Sequence, residues 1–349
     1  LRIARFNTGT ILSSWTNLAM AGTLRTLGHQ VLEGVIPTND HGAVMHQLGP
    51  HHYRRVLATM PTLEQLQDCD VILVSGPDYV SAWLHGLYGK QEWCQLKARK
   101  VAFYLESSER EDFQSRYALF SDWYDVHFFP DPEDAERFGG HHILACVDTE
   151  MFRPCALHPH SECLPECQVL RLRDKKYDAA FVGSLYPKRV QYLARLLPLI
   201  PDVDFRAGGV SVRDLGGECQ REWAELMVAN LRQIRVHAGL PSNNATMMTM
   251  RPFETMACGT FLLTCRTSDN LFRDGEHCCM YDDAKPEELA ELIRYYLAHE
   301  DERETIAAAG LAEVRRNYSL SQRMQEVLAI VCGENDAGLL VGGEAVYPA

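Results

Sequence analysis

Short apolar runs separated by polar, glycine-bearing turns recur along the chain and predict strands alternating with helices. Leu1 to Phe6 reads as a first strand, broken at Asn7-Thr8-Gly9-Thr10. A helix is predicted over Thr16 to Leu27, with Leu18, Ala21 and Leu24 at helical spacing and Gly28 as its stop. His29 to Leu32 then opens a second strand. A strand-helix-strand succession implies parallel strands joined by a right-handed crossover. Asp70 to Val74, Lys100 to Leu105, Val126 to Phe129 and Ile143 to Cys146 continue the set as strands, with a short helix through Glu133 to Phe138.

Residues 148–176, rich in Pro, His, Cys and charge, carry little periodicity and read as an interdomain connection. A second alternating set starts at Tyr177. Its strands are Asp178 to Val182, Val203 to Arg206, Leu231 to His237 and Phe261 to Thr264. Its helices are Val190 to Leu197, Pro286 to Leu297, Glu302 to Asn317 and Ser321 to Val331. In the second of these, Leu289, Leu292, Ile293, Tyr296 and Leu297 form one apolar stripe. The pattern predicts an α/β protein of two Rossmann-like domains, residues 1–150 and 177–332, with a linker over 151–176 and a loose tail over 333–349. Parallel sheets of this kind bind ligands at the C-terminal ends of their strands, around a central cleft, so the residues that follow strands are the candidates.

Composition narrows this picture. A chain of 349 residues suits two domains, and 46% apolar with 23% charged residues is globular rather than disordered. Lys and Arg number 34 against 47 Asp and Glu, a formal net charge of −13. That surface disfavours binding to polyanions, while leaving room for a local basic pocket around a small phosphate. No run approaches 18 uninterrupted apolar residues, so no membrane span is expected, and the first residues carry no leader pattern. The twelve cysteines sit largely in apolar segments and read as reduced buried thiols, which points to the cytoplasm.

Metal chemistry has two candidates. Asp68-Cys69-Asp70 and Asp202-Val203-Asp204 form DxD patterns, but both precede their strands and so lie at the wrong end of a sheet. Cys155, His158, His160, Cys163 and Cys167 are dense enough for zinc yet lack paired CxxC spacing. The reading taken is no metal, with a structural zinc as the alternative.

The most informative stretch runs from Arg251 to Thr264: a short helix with Glu254 in its first turn, a stop at Gly259, and a buried strand at once. A carboxylate offers several acceptor sites and suits the paired hydroxyls of a ribose; the alternative is a Glu favoured at a helix N-terminus. Lys188 and Arg189 follow a strand, where their charge suits a phosphate, the alternative being a solvated helix start. Gly9 and Thr10 follow the first strand, where a glycine-bearing loop allows close approach to a diphosphate. Thr267 and Ser268 stand after another strand, suited to a phosphate or sugar or to helix capping. Asp78 and Glu106 follow two strands of the first set and are candidates to take an acceptor's proton, the alternative being turn carboxylates. His237 ends a strand and is read as lining the cleft or as a satisfied loop histidine.

The Arg251–Thr264 stretch resembles the donor-site signature of the GT-B glycosyltransferases, in the group-1 family grouped with the spore-maturation protein CgeB. Phe181-Val182-Gly183-Ser184-Leu185-Tyr186-Pro187-Lys188-Arg189 resembles the first turn of that family's C-terminal domain. Asn270 to Glu276, Tyr295-Tyr296-Leu297, Ile306 to Gly310 and Tyr318 to Arg323 are similar to its later loops and helices, as is Val147 to Pro154 ahead of the linker. The resemblance implies sugar transfer from a nucleotide-diphosphate-sugar donor held by residues 177–332, with residues 1–150 on the acceptor side. It implies that Glu254 binds the ribose, that Gly183, Lys188 and Arg189 meet the diphosphate, with Arg251 as a further donor contact, and that no metal or other cofactor is required. Relatives often pair this glutamate with one eight positions earlier, where Thr246 stands, so a retaining outcome is implied by kinship alone. If the outcome is inversion, Glu106 or Asp78 is the base. The acceptor is open between glycan, protein and small molecule, with nucleic acid least favoured by the charge, and the oligomeric state is open. Alternatives are a noncatalytic nucleotide- or sugar-binding protein on the same scaffold and a sugar-nucleotide epimerase.

Overall fold

The computed structural model describes residues 1–8, 15–36, 60–104, 113–154, 175–183, 185, 187–208, 231–241, 249–267 and 271–333. By its internal contacts the chain forms two units, residues 145–319 and residues 1–144 together with the chain from Leu320 onward.

The first unit runs β1 (Arg2–Thr8), α1 (Trp15–Thr26), β2 (Gln30–Ile36), α2 (Leu63–Gln67), β3 (Val71–Ser75), α3 (Pro77–Tyr88), α4 (Lys90–Gln95), β4 (Arg99–Phe103), α5 (Phe113–Phe120), β5 (Val126–Phe129), α6 (Pro132–Phe138) and β6 (His141–His142). Local chemistry sets these boundaries. Thr62 and Gln65 close a capping box on α2. Asp131 caps α6, Pro132 opens it, and Gly139 ends it with a left-handed φ of 68°. The strands lie in the order β2-β1-β3-β4-β5-β6, all parallel. Phe6 stands opposite Gly34 on β2 and Val74 on β3. A Cβ at Gly34 would lie 2.6 Å from the Phe6 ring, so the missing side chain is what lets that ring pack. Phe6, Ile72, Val74, Trp93, Ala102 and Phe129 belong to one core cluster.

Two expectations change here. The apolar run Ile143 to Cys146 is not a strand; the edge strand is His141–His142, paired with Phe128 and Phe129. Its partner β5 ends at Phe129, before Pro130, which has no N–H to extend the ladder. The strand expected over Asp70 to Val74 lies one residue later, at Val71–Ser75, and Gly76, with φ 65°, turns the chain so that α3 begins at Pro77.

The second unit runs β7 (Tyr177–Val182), α7 (Pro187–Leu196), β8 (Phe205–Gly208), β9 (Ile234–Ala238), α8 (Met250–Ala257), β10 (Phe261–Cys265), β11 (Cys279–Tyr281), α9 (Pro286–Ala298) and α10 (Glu300–Asn317). The order is β11-β10-β9-β7-β8, again parallel throughout. Leu231 and Arg232, expected to open a strand, are helical, and β9 starts at Ile234. The stripe on α9 buries Leu289, Ile293 and Tyr296 into a cluster with Phe181, Val236, Phe261 and Leu263. Gly310 on α10 lets that helix close on α8, because a Cβ there would lie 2.4 Å from the His277 carbonyl oxygen and 3.0 Å from the Met256 sulfur.

The last helix, α11 (Leu320–Cys332), groups with the first unit although the sequence reading sets it within 177–332. It packs on α1 and buries Met324, Val327, Leu328 and Val331. Helical spacing shows that these four share a face; it carries no information on which sheet they cover.

In each unit the chain order reverses beside the first strand, between β1 and β3 and between β7 and β9. Such reversals open the crevice in which doubly wound sheets bind ligands.

Candidate functional site

The crevice of the second unit is built from the ends of β7 and β9. Strand β7 pairs with β8 as far as Val182 and Gly208, but its pairing with β9 stops at Ala180 and His237. The Val182 N–H is satisfied instead by a side chain, donating to His237 Nε2 at 3.3 Å. His237 is fully buried, and burial, then the charges of Arg251 and Arg189, push its pKa down to about 3. The ring is therefore neutral, with Nε2 as acceptor and the proton on Nδ1. Nδ1 has no partner among the described residues. His237 thus lies beneath the crevice rather than in a loop.

Arg189, in the first turn of α7, spans the same gap. Its Nε donates to the Pro241 carbonyl beyond β9 at 3.1 Å, and its guanidinium carbon sits 4.9 Å from the centre of the Phe181 ring. This cation–π seat fixes the charge over the end of β7. Gly183 makes room for it, since a Cβ there would lie 2.7 Å from the Phe181 ring. Lys188 is more exposed, with its Nζ 3.8 Å from Asp283 Oδ2, a weak surface pair.

Arg251 and Glu254 come from α8, which is buried from Pro252 to Ala257. Arg251 Nη1 donates to Glu254 Oε2 at 2.5 Å, with side-chain exposures of 21% and 3%. Burial pushes the Glu254 carboxyl up and Arg251 draws it back down. The helix starts at Met250, so Arg251 rather than Glu254 occupies its first turn. A preference for acids at a helix N-terminus therefore does not account for this glutamate. Gly259, with φ 66°, follows α8 where the sequence places its stop.

The structure thus gathers Gly183, Arg189, His237, Arg251 and Glu254 around one strand reversal. Thr267 follows β10 and is half-buried. Asp78 lies in the first turn of α3, after β3. Gly9, Thr10, Glu106 and Ser268 lie outside the described residues, as do Ser184, Thr246 and the run Cys155, His158, His160, Cys163 and Cys167. All eight cysteines among the described residues are free thiols. No described helix is long and apolar enough to cross a membrane.

One functional-looking group escaped the sequence reading. Lys175 is buried, its Nζ donating to Thr260 Oγ1 at 2.7 Å and to the Gly259 carbonyl at 3.4 Å, and burial pushes its pKa down to about 7. Thr260 Oγ1 in turn donates to the Leu231 carbonyl at 2.6 Å. Lys175, Thr260 and Leu231 all precede strands, so this knot ties the sheet at the end away from the crevice. In sequence, Lys175 falls in the charge-rich stretch 148–176 read as an interdomain connection.

Two Rossmann-like units with parallel sheets make the fold GT-B, the architecture of the solved structures that this chain resembles. Sucrose-phosphate synthase from Thermosynechococcus elongatus aligns with a TM-score of 0.62 at 14% identity, covering 95% of this chain and 99% of that one. HepE of Anabaena in complex with UDP-glucose aligns with a TM-score of 0.64 at 12% identity, covering 95% and 99%. An alpha-glucosyltransferase in complex with UDP and a 13-mer DNA gives 0.64 at 11% identity, again covering 95% and 99%. Residues 188–329 match a family model described as Glycosyl transferase-like, a span that takes in Lys188, Arg189, His237, Arg251, Glu254 and Thr267. No curated protein is similar enough to match the chain. The fold is thus GT-B, and the match over residues 188–329 supports glycosyltransferase activity.

Proposed function

We propose that the protein moves a sugar from a nucleotide-diphosphate-sugar donor to an acceptor hydroxyl, without a metal, in the manner of the CgeB-like group, and in the cytoplasm. The observation that carries this reading is the convergence of Arg189 and Arg251 on one buried neutral histidine at the β7–β9 reversal. Two fixed guanidinium groups at a strand-end crevice suit a diphosphate, both as bound and as it departs with negative charge. Lys188, Gly183 and Thr267 flank that position, and Glu254 is the group for the ribose. UDP or UDP-glucose in the complexes of the structural neighbours supports a uridine nucleotide as the first donor to try. From the first unit, Gly9 and Thr10 are proposed as donor-binding residues on their sequence position after a strand, and Asp78 and Glu106 as the candidate bases for an inverting reaction. With retention, the departing phosphate itself takes the acceptor's proton.

Thermal-shift screening with nucleoside diphosphates and their sugars tests the donor assignment, because a ligand that binds the native state raises its apparent stability. The expected result is stabilisation by one nucleotide family, followed by donor turnover when acceptors are added. Tight binding without turnover across a broad acceptor panel would instead make this a binding protein, and donor interconversion without acceptor would make it an epimerase.

A further inference from the structure

The Arg251–Glu254 pair divides labour unevenly. The carboxylate is almost wholly enclosed and the guanidinium is the more exposed partner, so the pair presents its cation, not its anion, outward. The two residues stand three apart on one helix, and that helix is packed from Pro252 to Ala257. The carboxylate is thus immobile, and one of its oxygens, Oε2, is already taken by Arg251 Nη1 at 2.5 Å. A long arginine side chain otherwise loses rotamer freedom when a ligand fixes it. Here the loss has been met in advance. Arg251 and Arg189 both lie near enough to His237 on β9 for their charges to lower its pKa, which sets both near the same strand reversal. Two like charges brought near one neutral ring leave a net positive site after Glu254 has offset one of them.

We propose that Glu254 is a positioning residue for Arg251. It holds the guanidinium toward the donor diphosphate, so that much of its contribution to binding does not depend on ribose hydroxyls. The inference rests on the donor-site reading above. It adds a role that acts through the arginine to the ribose contact proposed for the same carboxylate.

The test is a double-mutant cycle on the full chain, read by calorimetric titration. The ribonucleoside diphosphates are tried first, and the one that binds tightest is then compared with its 2′,3′-dideoxy form. Glu254→Leu is expected to weaken both forms at least tenfold. Arg251→Met is expected to do the same, and the double variant to lose about tenfold rather than a hundredfold. Glu254→Gln, which keeps an oxygen for Arg251, is expected to retain most of the affinity for the dideoxy form. Thermal melts establish that each variant is folded. Should Glu254→Leu not fold, the cycle is run with Glu254→Gln, whose smaller loss must persist on the dideoxy ligand and vanish in the Arg251→Met background. A loss confined to the ribose form, or one that adds in full to Arg251→Met, overturns the inference while leaving the donor site standing. A wild-type protein that binds no nucleoside diphosphate overturns the donor site and the inference with it.

Discussion

The two sheets share a strand order and differ in what stands where that order reverses. In the first unit, Arg5 lies buried on β1, and its charge is turned inward. It pairs with Glu33 on β2 at 3.4 Å, and Arg25 holds the same carboxylate at 2.8 Å. Burial lowers the Arg5 pKa to about 10 in spite of Glu33. Asn7, two residues on, accepts from Arg5 Nη1 and Nη2 at 2.9 and 3.1 Å once its amide is turned to face the guanidinium with its oxygen. In the second unit the corresponding charges are carried by helices that begin after the strands, α7 and α8. Arg189 reaches across the gap to Pro241, and Arg251 stays partly exposed above an enclosed Glu254. A doubly wound sheet supplies the crevice in both cases. Among the described residues, Arg5 sits on a strand and is neutralised by its neighbour, whereas Arg189 and Arg251 stand in the first turns of helices.

Exchanging the two arginines' fates is the strongest way to break that comparison. Arg251→Met is expected to lower turnover about 100-fold, the scale for losing one charge-stabilising donor. Arg5→Met is expected to leave turnover near wild type in the folded fraction while costing about 2–3 kcal/mol of stability, with Arg25 still holding Glu33. Steady-state kinetics and chemical denaturation on both variants decide this; equal kinetic losses would erase the distinction between the sheets.

A smaller effect separates two glycines that each face a phenylalanine ring at under 3 Å from a would-be Cβ, Gly34 against Phe6 and Gly183 against Phe181. Each Gly→Ala change is expected to cost about 1–2 kcal/mol from overpacking. Only Gly183→Ala should also weaken nucleotide binding, severalfold, since the Phe181 ring is the seat of Arg189. Matched losses of affinity in both variants would contradict the assignment of the site to the second unit.

The two ends of the second sheet can be told apart by pH. Lys175 has a native pKa of about 7 against the ordinary 10.5, so between those values the unfolded chain holds more protons than the native one. Stability from this group is complete above 10.5 and is lost as the pH falls through 7. The stability difference between wild type and Lys175→Met should therefore move in favour of wild type as pH rises from 7 to 9, by roughly 2 kcal/mol. His237 stays neutral down to about 3, so nucleotide affinity should not titrate through this residue between pH 5.5 and 8. Urea titrations at three pH values check the first statement and binding titrations the second. The smallest change in stability is expected for Lys188→Ala, under about 0.5 kcal/mol, because its pair with Asp283 is exposed. Its turnover should fall more than its stability.

Much of this was legible in the residues. Strands β1, β3, β5, β7 and β10 lie within a residue or two of their apolar runs, because a strand buried on both faces shows an unbroken stretch of apolar side chains. The candidate site was read as strand-end residues, of which the structure places Gly183, Arg189, His237, Arg251 and Glu254 near one reversal. The partners were not legible. Nothing in the order of residues says that His237 takes the Val182 N–H, that Phe181 seats Arg189, or that Glu254 is enclosed beneath Arg251, since each depends on which strands adjoin.

Local order along the chain sets the alternation of strands and helices, the residue types at the strand ends, and the overall negative charge. Those follow from local periodicity, turn chemistry and composition, which act within a few residues. Tertiary structure alone decided that α11 packs on the first unit, that Lys175 is a buried knot rather than a surface charge, and that Arg251 faces outward on a fixed carboxylate. Each of these is a matter of burial against residues distant in the chain, where desolvation sets what a charge can do.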